Sequence, residues 1–193
     1  MSKKSDILKA AALLFAQYSL KKVTMDEIAE KASVSKATIY KYYESKEEVF
    51  DQVVKSESVL LWDAINRAVD EAPTVVEKLR VYLLTKLTNI HDLVNFYRVT
   101  HETLTEYWPY VESARAEFIT REKELVESIL KEGSQAGELY VDKIDLTAHT
   151  IVISLKSMEF TWAIATFEIP LEEYVNFLID LIVNGIGRKK IND

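Results

Sequence analysis

Between Ser35 and Tyr42 the chain reads SKATIYKY, which places Lys36 and Lys41, the hydroxyls of Ser35 and Thr38, and the phenols of Tyr40 and Tyr42 on one short segment. Hydroxyls and helix-terminal N–H groups hold phosphate oxygens, and a lysine near a helix N-terminus reaches guanine O6 or N7. Ser35, Lys36, Ala37, Thr38, Tyr40, Lys41 and Tyr42 lie at or just after the start of a short helix, the end that a recognition helix inserts into the major groove. The chemistry on offer is therefore attachment to double-stranded DNA.

Other chemistry finds little material. His91, His101 and His149 have no His-x-x-x-His spacing, and neither a Gly-rich phosphate loop nor a nucleophile motif occurs. Cysteine is absent, which removes disulfides and thiolate zinc sites. The charges from Glu112 to Glu127 read as a solvated helix face, with pairs such as Glu117 and Arg121. No cofactor, no metal and no enzymatic activity are expected.

The segment must be presented by helices. Four Gly and three Pro in 193 residues are too few for the turns of a sandwich or barrel, so the fold class is all-α. Ile7, Ala11, Leu14, Phe15 and Tyr18 recur on one face of a first helix from about Lys4 to Tyr18, which argues against a secretory signal over the same apolar run. Thr24-Met25-Asp26-Glu27 is a capping-box pattern opening a helix from Met25 to Lys31. Ala32-Ser33-Val34 makes a turn, and Ser35 caps the next helix, which runs to Tyr42 or Tyr43. Ile28, Ala29, Val34, Ile39 and Tyr43 close a small core with Leu14 and Phe15, so either Tyr42 or Tyr43 faces inward.

A second capping box, Ser45-Lys46-Glu47-Glu48, opens a long helix to about Asp70. Pro73, Pro109 and Pro170 each suggest a helix beginning at the proline, and a break is expected near Asp92 to Asn95. Gly133 and Gly137 end the helix begun at Pro109, and Asp145 caps the next. About nine helices result.

Charge divides the chain. Residues 1–46 carry nine lysines against five acids, a balance of +4, so the net −7 of the whole chain leaves −11 for the remainder. A phosphate-seeking module joined to an acidic body follows, with boundaries of 1–46 for the helix-turn-helix DNA-binding domain and 47–193 for a helical ligand-binding and dimerisation domain.

From Leu146 to Phe167 almost every helical turn is apolar on all sides, and Leu171, Tyr174, Val175, Leu178, Leu181, Ile182 and Ile186 continue the theme. A helix apolar all round is buried on more than one face. Lys156, Glu159 and His149 weigh against a membrane span. These last two helices are expected to pair with their copies in a homodimer.

The stretch TMDEIAEKASVSKATIYKYYESKEEVF, from Thr24 to Phe50, resembles the DNA-binding domain of the TetR/AcrR family of bacterial repressors. The capped Thr, the Ile-Ala pair, the Val-Ser turn, Ser-Lys-x-Thr-hydrophobe-Tyr and Ser-Lys-Glu-Glu stand in register with it. Glu132 to Glu138 and the two apolar last helices resemble the family in layout. Ser19, Ser33 and Ala37 stand where glycine is usual, and the Ala37 methyl is placed to meet a thymine methyl.

The resemblance implies phosphate contacts at Thr24, Ser35, Tyr40, Tyr42 and Lys46, and base contacts at Lys36, Ala37, Thr38 and Lys41. It also implies a cytoplasmic, ligand-responsive repressor that binds a palindromic operator as a dimer. A small, largely apolar or aromatic effector entering the body would shift the long helix and release the DNA. Trp62, Tyr97, His101, Trp108, Phe118, Met158, Glu159 and Trp162 are the candidate effector residues, within an aromatic set that also includes Tyr82, Phe96 and Tyr107. Glu159 either meets a cationic ligand or pairs with Lys156. The competing readings are a helix-turn-helix regulator answering to a protein partner, and an all-helical enzyme.

Overall fold

A computed structural model describes residues 2–18, 20–89, 104–164 and 169–185. Among the described residues there are eight helices and no strands: α1 (Lys3–Gln17), α2 (Met25–Lys31), α3 (Lys36–Tyr40), α4 (Lys46–Glu71), α5 (Val75–Asn89), α6 (Leu104–Ala136), α7 (Ile144–Ile164) and α8 (Leu171–Asn184). No helix among them is long and apolar enough to cross a membrane. The chain divides into two compact units, one of residues 1–62 and 91–119, the other of residues 63–90 and 120–193.

In the first unit, Ile7, Ala10, Ala11 and Phe15 of α1 are buried together with Ile28 and Ala29 of α2, Ile39, Tyr43, and Val49, Phe50, Val53 and Val54 of α4. The rings of Phe15 and Phe50 meet edge to face at 5.2 Å, a preferred aromatic geometry. Ala10 takes the place expected for Leu14, which is half-buried like Val34, while Tyr18 is exposed.

In the second unit, Leu79, Tyr82, Leu83 and Leu87 of α5 are buried with Val126, Ile129 and Leu130 of α6, Ala148, Ile151, Val152 and Leu155 of α7, and Val175 and Ile179 of α8. Helix α5 packs on α8.

Several helix ends differ from expectation. Thr74 caps α5 through the N–H of Glu77 at 3.1 Å, so Pro73 lies one residue outside the cap. A threonine side chain supplies the acceptor that proline lacks. Helix α6 begins at Leu104 and runs through Pro109, which in the second turn forfeits one ladder bond. Pro170 occupies the cap of α8 rather than its first turn.

Gly133 lies inside α6, and only Gly137, at φ +74°, ends it, receiving the left-handed turn that lacks a Cβ penalty. A Cβ at Gly133 would stand 2.7 Å from Val75 Cγ1, so close packing explains that glycine. Asp145 sits within the first turn of α7 and pairs with Lys123 instead of capping. The break expected near residues 92–95 lies outside the described residues.

Candidate nucleic-acid interface

The N-terminus of α2 is closed by the reciprocal cap anticipated from Thr24 and Glu27. The Glu27 N–H donates to Thr24 Oγ1 at 3.3 Å, while the Thr24 N–H and hydroxyl donate to Glu27 Oε2 at 2.7 and 2.8 Å. The Thr24 hydroxyl, then its backbone N–H, with Lys46 nearby, hold the Glu27 carboxyl below the usual glutamate range. The hydroxyl proton of Thr24 is thus engaged within the cap.

Helix α2 ends at Ala32, and Ser33 adopts φ +54° in the left-handed region. The N–H of Val34 donates to Ala29 O at 2.9 Å, satisfying the last turn. The chain reverses there with a serine where glycine is free of steric cost. At the next cap, Ser35 Oγ accepts from the Thr38 N–H at 3.2 Å and is hydrogen-bonded to the Thr38 hydroxyl at 2.9 Å.

Helix α3 is a single turn and a half, from Lys36 to Tyr40, shorter than expected. It unwinds through tight bonds from Lys41 to Thr38 O and from Tyr42 and Tyr43 to Ile39 O. That unwinding decides the tyrosines. Tyr43 is 2% exposed and faces the core with Ile39, whereas Tyr40 and Tyr42 are 47% and 42% exposed. Lys4 Nζ stands 5.9 Å over the Tyr43 ring. Burial, and Glu48 after it, push the Tyr43 phenol up.

Lys36, Ala37 and Lys41 are exposed beside Tyr40 and Tyr42, and Thr38 is half-buried. Lys36 Nζ is paired with Asp26 Oδ2 of α2 at 2.8 Å, and that hydrogen bond raises the Lys36 pKa. Lys46 is also engaged: its ammonium donates to Leu20 O at 2.9 Å, Val23 O at 3.2 Å and Lys21 O at 3.4 Å. The second capping box is only half formed. Glu48 N–H donates to Ser45 Oγ at 3.2 Å, but the Glu48 carboxylate accepts from Glu44 N–H at 2.7 Å, one residue beyond the cap.

The nine residues expected to meet DNA thus fall on the α1–α2 loop end, the turn, α3 and the start of α4, all in one unit. Of the eight residues expected to meet an effector, three have described side chains. Trp62 and Phe118 share the first unit with rings 6.0 Å apart, edge to face. Met158 belongs to the second unit and accepts from the Tyr174 hydroxyl at 3.7 Å. Tyr97 and His101 lie outside the described residues, as do the side chains of Trp108, Glu159 and Trp162. An open groove of about 620 Å³ in the second unit is lined by Leu79, Leu130, Val141 and Ile182 and by none of the three candidates whose side chains are described.

One polar cluster escaped the sequence reading. Glu122 and Lys86 are 0% and 1% exposed, with Lys86 Nζ 2.5 Å from Glu122 Oε1, and Tyr82 donates its phenolic proton to the same oxygen at 2.9 Å. Glu122 therefore does not belong to a solvated face. Its signal was present: Lys86 follows Leu79, Tyr82 and Leu83 on one helical stripe, and Glu122 lies between Phe118 and Val126 on another.

Residues 7–53 match the family described as bacterial regulatory proteins, tetR family. The chain is 23% identical over 184 residues, 95% of each chain, to the fatty acid metabolism regulator protein of Bacillus subtilis (strain 168). It is 25% identical over 146 residues to the transcriptional repressor KstR2 of Mycolicibacterium smegmatis, covering 73% of this chain and 69% of that one. The solved structure of the regulator FadR from Bacillus subtilis, in complex with stearoyl-CoA, superposes with a TM-score of 0.76 at 23% identity, covering 95% of this chain and 99% of the other. That last likeness speaks to the fold. The family match spans α1 through the first turns of α4, the same helices whose caps and turn carry the exposed lysines and tyrosines, so residues 7–53 form a DNA-binding domain of the tetR type of bacterial regulatory proteins.

Proposed function

We propose that this regulator binds a palindromic operator as a homodimer and acts as a repressor released by a largely apolar effector. Its DNA-binding domain is residues 1–46 and its effector-binding and dimerisation domain residues 47–193. Ser35, Tyr40, Tyr42 and Thr24 position the backbone phosphates, and Lys36, Ala37, Thr38 and Lys41 meet base edges. The observation that carries this reading is the division of tyrosines at the end of α3, with Tyr43 sealing the core and Tyr40 and Tyr42 turned outward beside Lys36 and Lys41. Operator binding requires access to the chromosome and hence the bacterial cytoplasm.

Dimerisation is supported by apolar surface on the last two helices. Leu146, Ile153 and Phe177 are exposed, Phe177 by 66%. Thr150 and Ser157, spaced with Leu146 and Ile153 on one stripe of α7, donate their hydroxyls to Leu146 O and Ile153 O. A stripe whose polar atoms are already bonded to its own backbone suits an isologous helix interface.

Long-chain acyl thioesters are the effector class we favour, because FadR from Bacillus subtilis, which this chain matches over 95% of its length, is solved in complex with stearoyl-CoA. Trp62 and Phe118, with Tyr97, His101, Trp108, Met158, Glu159 and Trp162, remain the proposed contacts.

Selection of bound sites from random DNA tests the proposal: an inverted repeat is expected, with binding weakened by stearoyl-CoA. Lys36→Ala is expected to abolish selection while leaving the dimer intact, and Phe177→Glu to yield monomers by sedimentation. A site without two-fold symmetry refutes the dimer, and DNA binding indifferent to salt refutes phosphate contact.

A further inference from the structure

Lys46 opens α4, a continuous helix of 26 residues, and its ammonium reaches back 23 to 26 residues along the chain to three carbonyls of the loop between α1 and α2. An ammonium carries three N–H donors and no acceptor, so Leu20 O, Lys21 O and Val23 O use its whole capacity. The bonds to Leu20 O and Val23 O are partly buried. Val23 directly precedes Thr24, whose N–H and hydroxyl are held by the Glu27 carboxylate. Lys46, the loop and the cap of α2 thus form one connected set of hydrogen bonds.

We infer that Lys46 is a positioning residue that fastens the first turn of α4 to the N-terminus of α2, and is not a phosphate ligand. The inference rests on the DNA-binding reading proposed above. A phosphate would reach the ammonium only by drawing it away from three carbonyls, two of them partly buried. While the fastening holds, a displacement of the start of α4 carries the loop and the cap of α2 with it, and α3 follows through the Ser33 turn. Lys46 then governs where Lys36, Tyr40 and Lys41 stand without touching DNA itself.

Lysine and arginine separate the two roles. Guanidinium binds phosphate at least as well as ammonium does, but its planar fork does not converge on three carbonyls of one loop. The test uses the full chain, its Lys46→Arg and Lys46→Met variants, and a site selected from random DNA, with affinity measured from 50 to 200 mM salt. Amide hydrogen exchange is followed in the same proteins without DNA.

Both variants are expected to bind about tenfold more weakly with an unchanged salt slope, and to exchange faster at Thr24–Ile28 while α1 keeps its protection. An arginine variant that binds as the parent does overturns the inference. So does a methionine variant whose slope falls by about 0.9 per lost contact, nearly 2 for a two-fold dimer. Unchanged exchange at Thr24–Ile28 also overturns it. If no DNA site is selected at all, the DNA reading fails, and the exchange measurement still decides the fastening.

Discussion

Replacing Lys86 by Met removes the ion pair of the Glu122 carboxylate, which stays buried in the second unit beside the Tyr82 phenol. Both charges are at most 1% exposed and 2.5 Å apart, so neither exchanges its partner for water. Removing one member of such a pair costs about 3–5 kcal/mol, because the remaining charge stays desolvated. At about 2–4 °C per kcal/mol for a chain of this size, the melting temperature should fall by roughly 6–20 °C. Tyr82→Phe should cost less, about 1.5–3 kcal/mol, since it removes one hydrogen bond to a charged acceptor.

The double variant Lys86→Met with Glu122→Leu removes both charges at similar volume and should recover most of the loss. Urea unfolding followed by circular dichroism, with thermal melts, measures all four proteins. A single variant that loses less than about 1 kcal/mol would mean that water reaches the pair. A double variant as unstable as the singles would mean that packing rather than charge is at stake. Either result refutes the reasoning.

Three further outcomes follow from particular residues. Ser33→Gly should stabilise the first unit by about 0.5 kcal/mol, the relief of a left-handed serine less the entropy of a freer unfolded chain, while Ser33→Val should destabilise it in thermal melts. Because the folded-state pKa of Glu27 is depressed, its contribution is complete above the ordinary glutamate pKa and is lost only as pH falls through the lower folded value. Carboxylate NMR should therefore find Glu27 titrating below the other glutamates, and a normal titration contradicts the cap. Gly133→Ala places a Cβ 2.7 Å from Val75 Cγ1 and 2.9 Å from Leu139 Cδ1. Overpacking of about 1–3 kcal/mol should outweigh the propensity gained, and adding Val75→Ala should restore part of the urea midpoint.

How far these features were legible in the residues depends on sequence distance. The cap at Thr24, the cap at Ser35, the bounds of α2 and the strained turn at Ser33 are decided within four residues, and local pattern places each of them. Tyr42 and Tyr43 were separable only by knowing where α3 unwinds, which the core contact of Ile39 determines. Gly133 signals a helix end when local propensity is considered alone, yet Val75, 58 positions away in the chain, is what excludes a side chain there. Lys86 and Glu122 are 36 positions apart, and each alone looks like a charge misplaced on an apolar stripe. Their meeting, with the Tyr82 phenol on the same carboxylate, accounts for the burial of both.

The same contrast bears on the proposed DNA face, where charges are already engaged before any DNA arrives. Lys36 holds Asp26 across an exposed pair, and pairs of this kind are worth at most about 1 kcal/mol. Exchanging Asp26 for a base edge or a phosphate is therefore cheap, and the counterions released are fewer than the lysine count suggests, because part of that charge was compensated within the protein. Lys46 stands at the other extreme, with three carbonyl partners and partial burial, and exchange there means dismantling the loop that leads into α2. Two lysines ten residues apart, indistinguishable by composition, are thus committed to very different degrees before any DNA arrives.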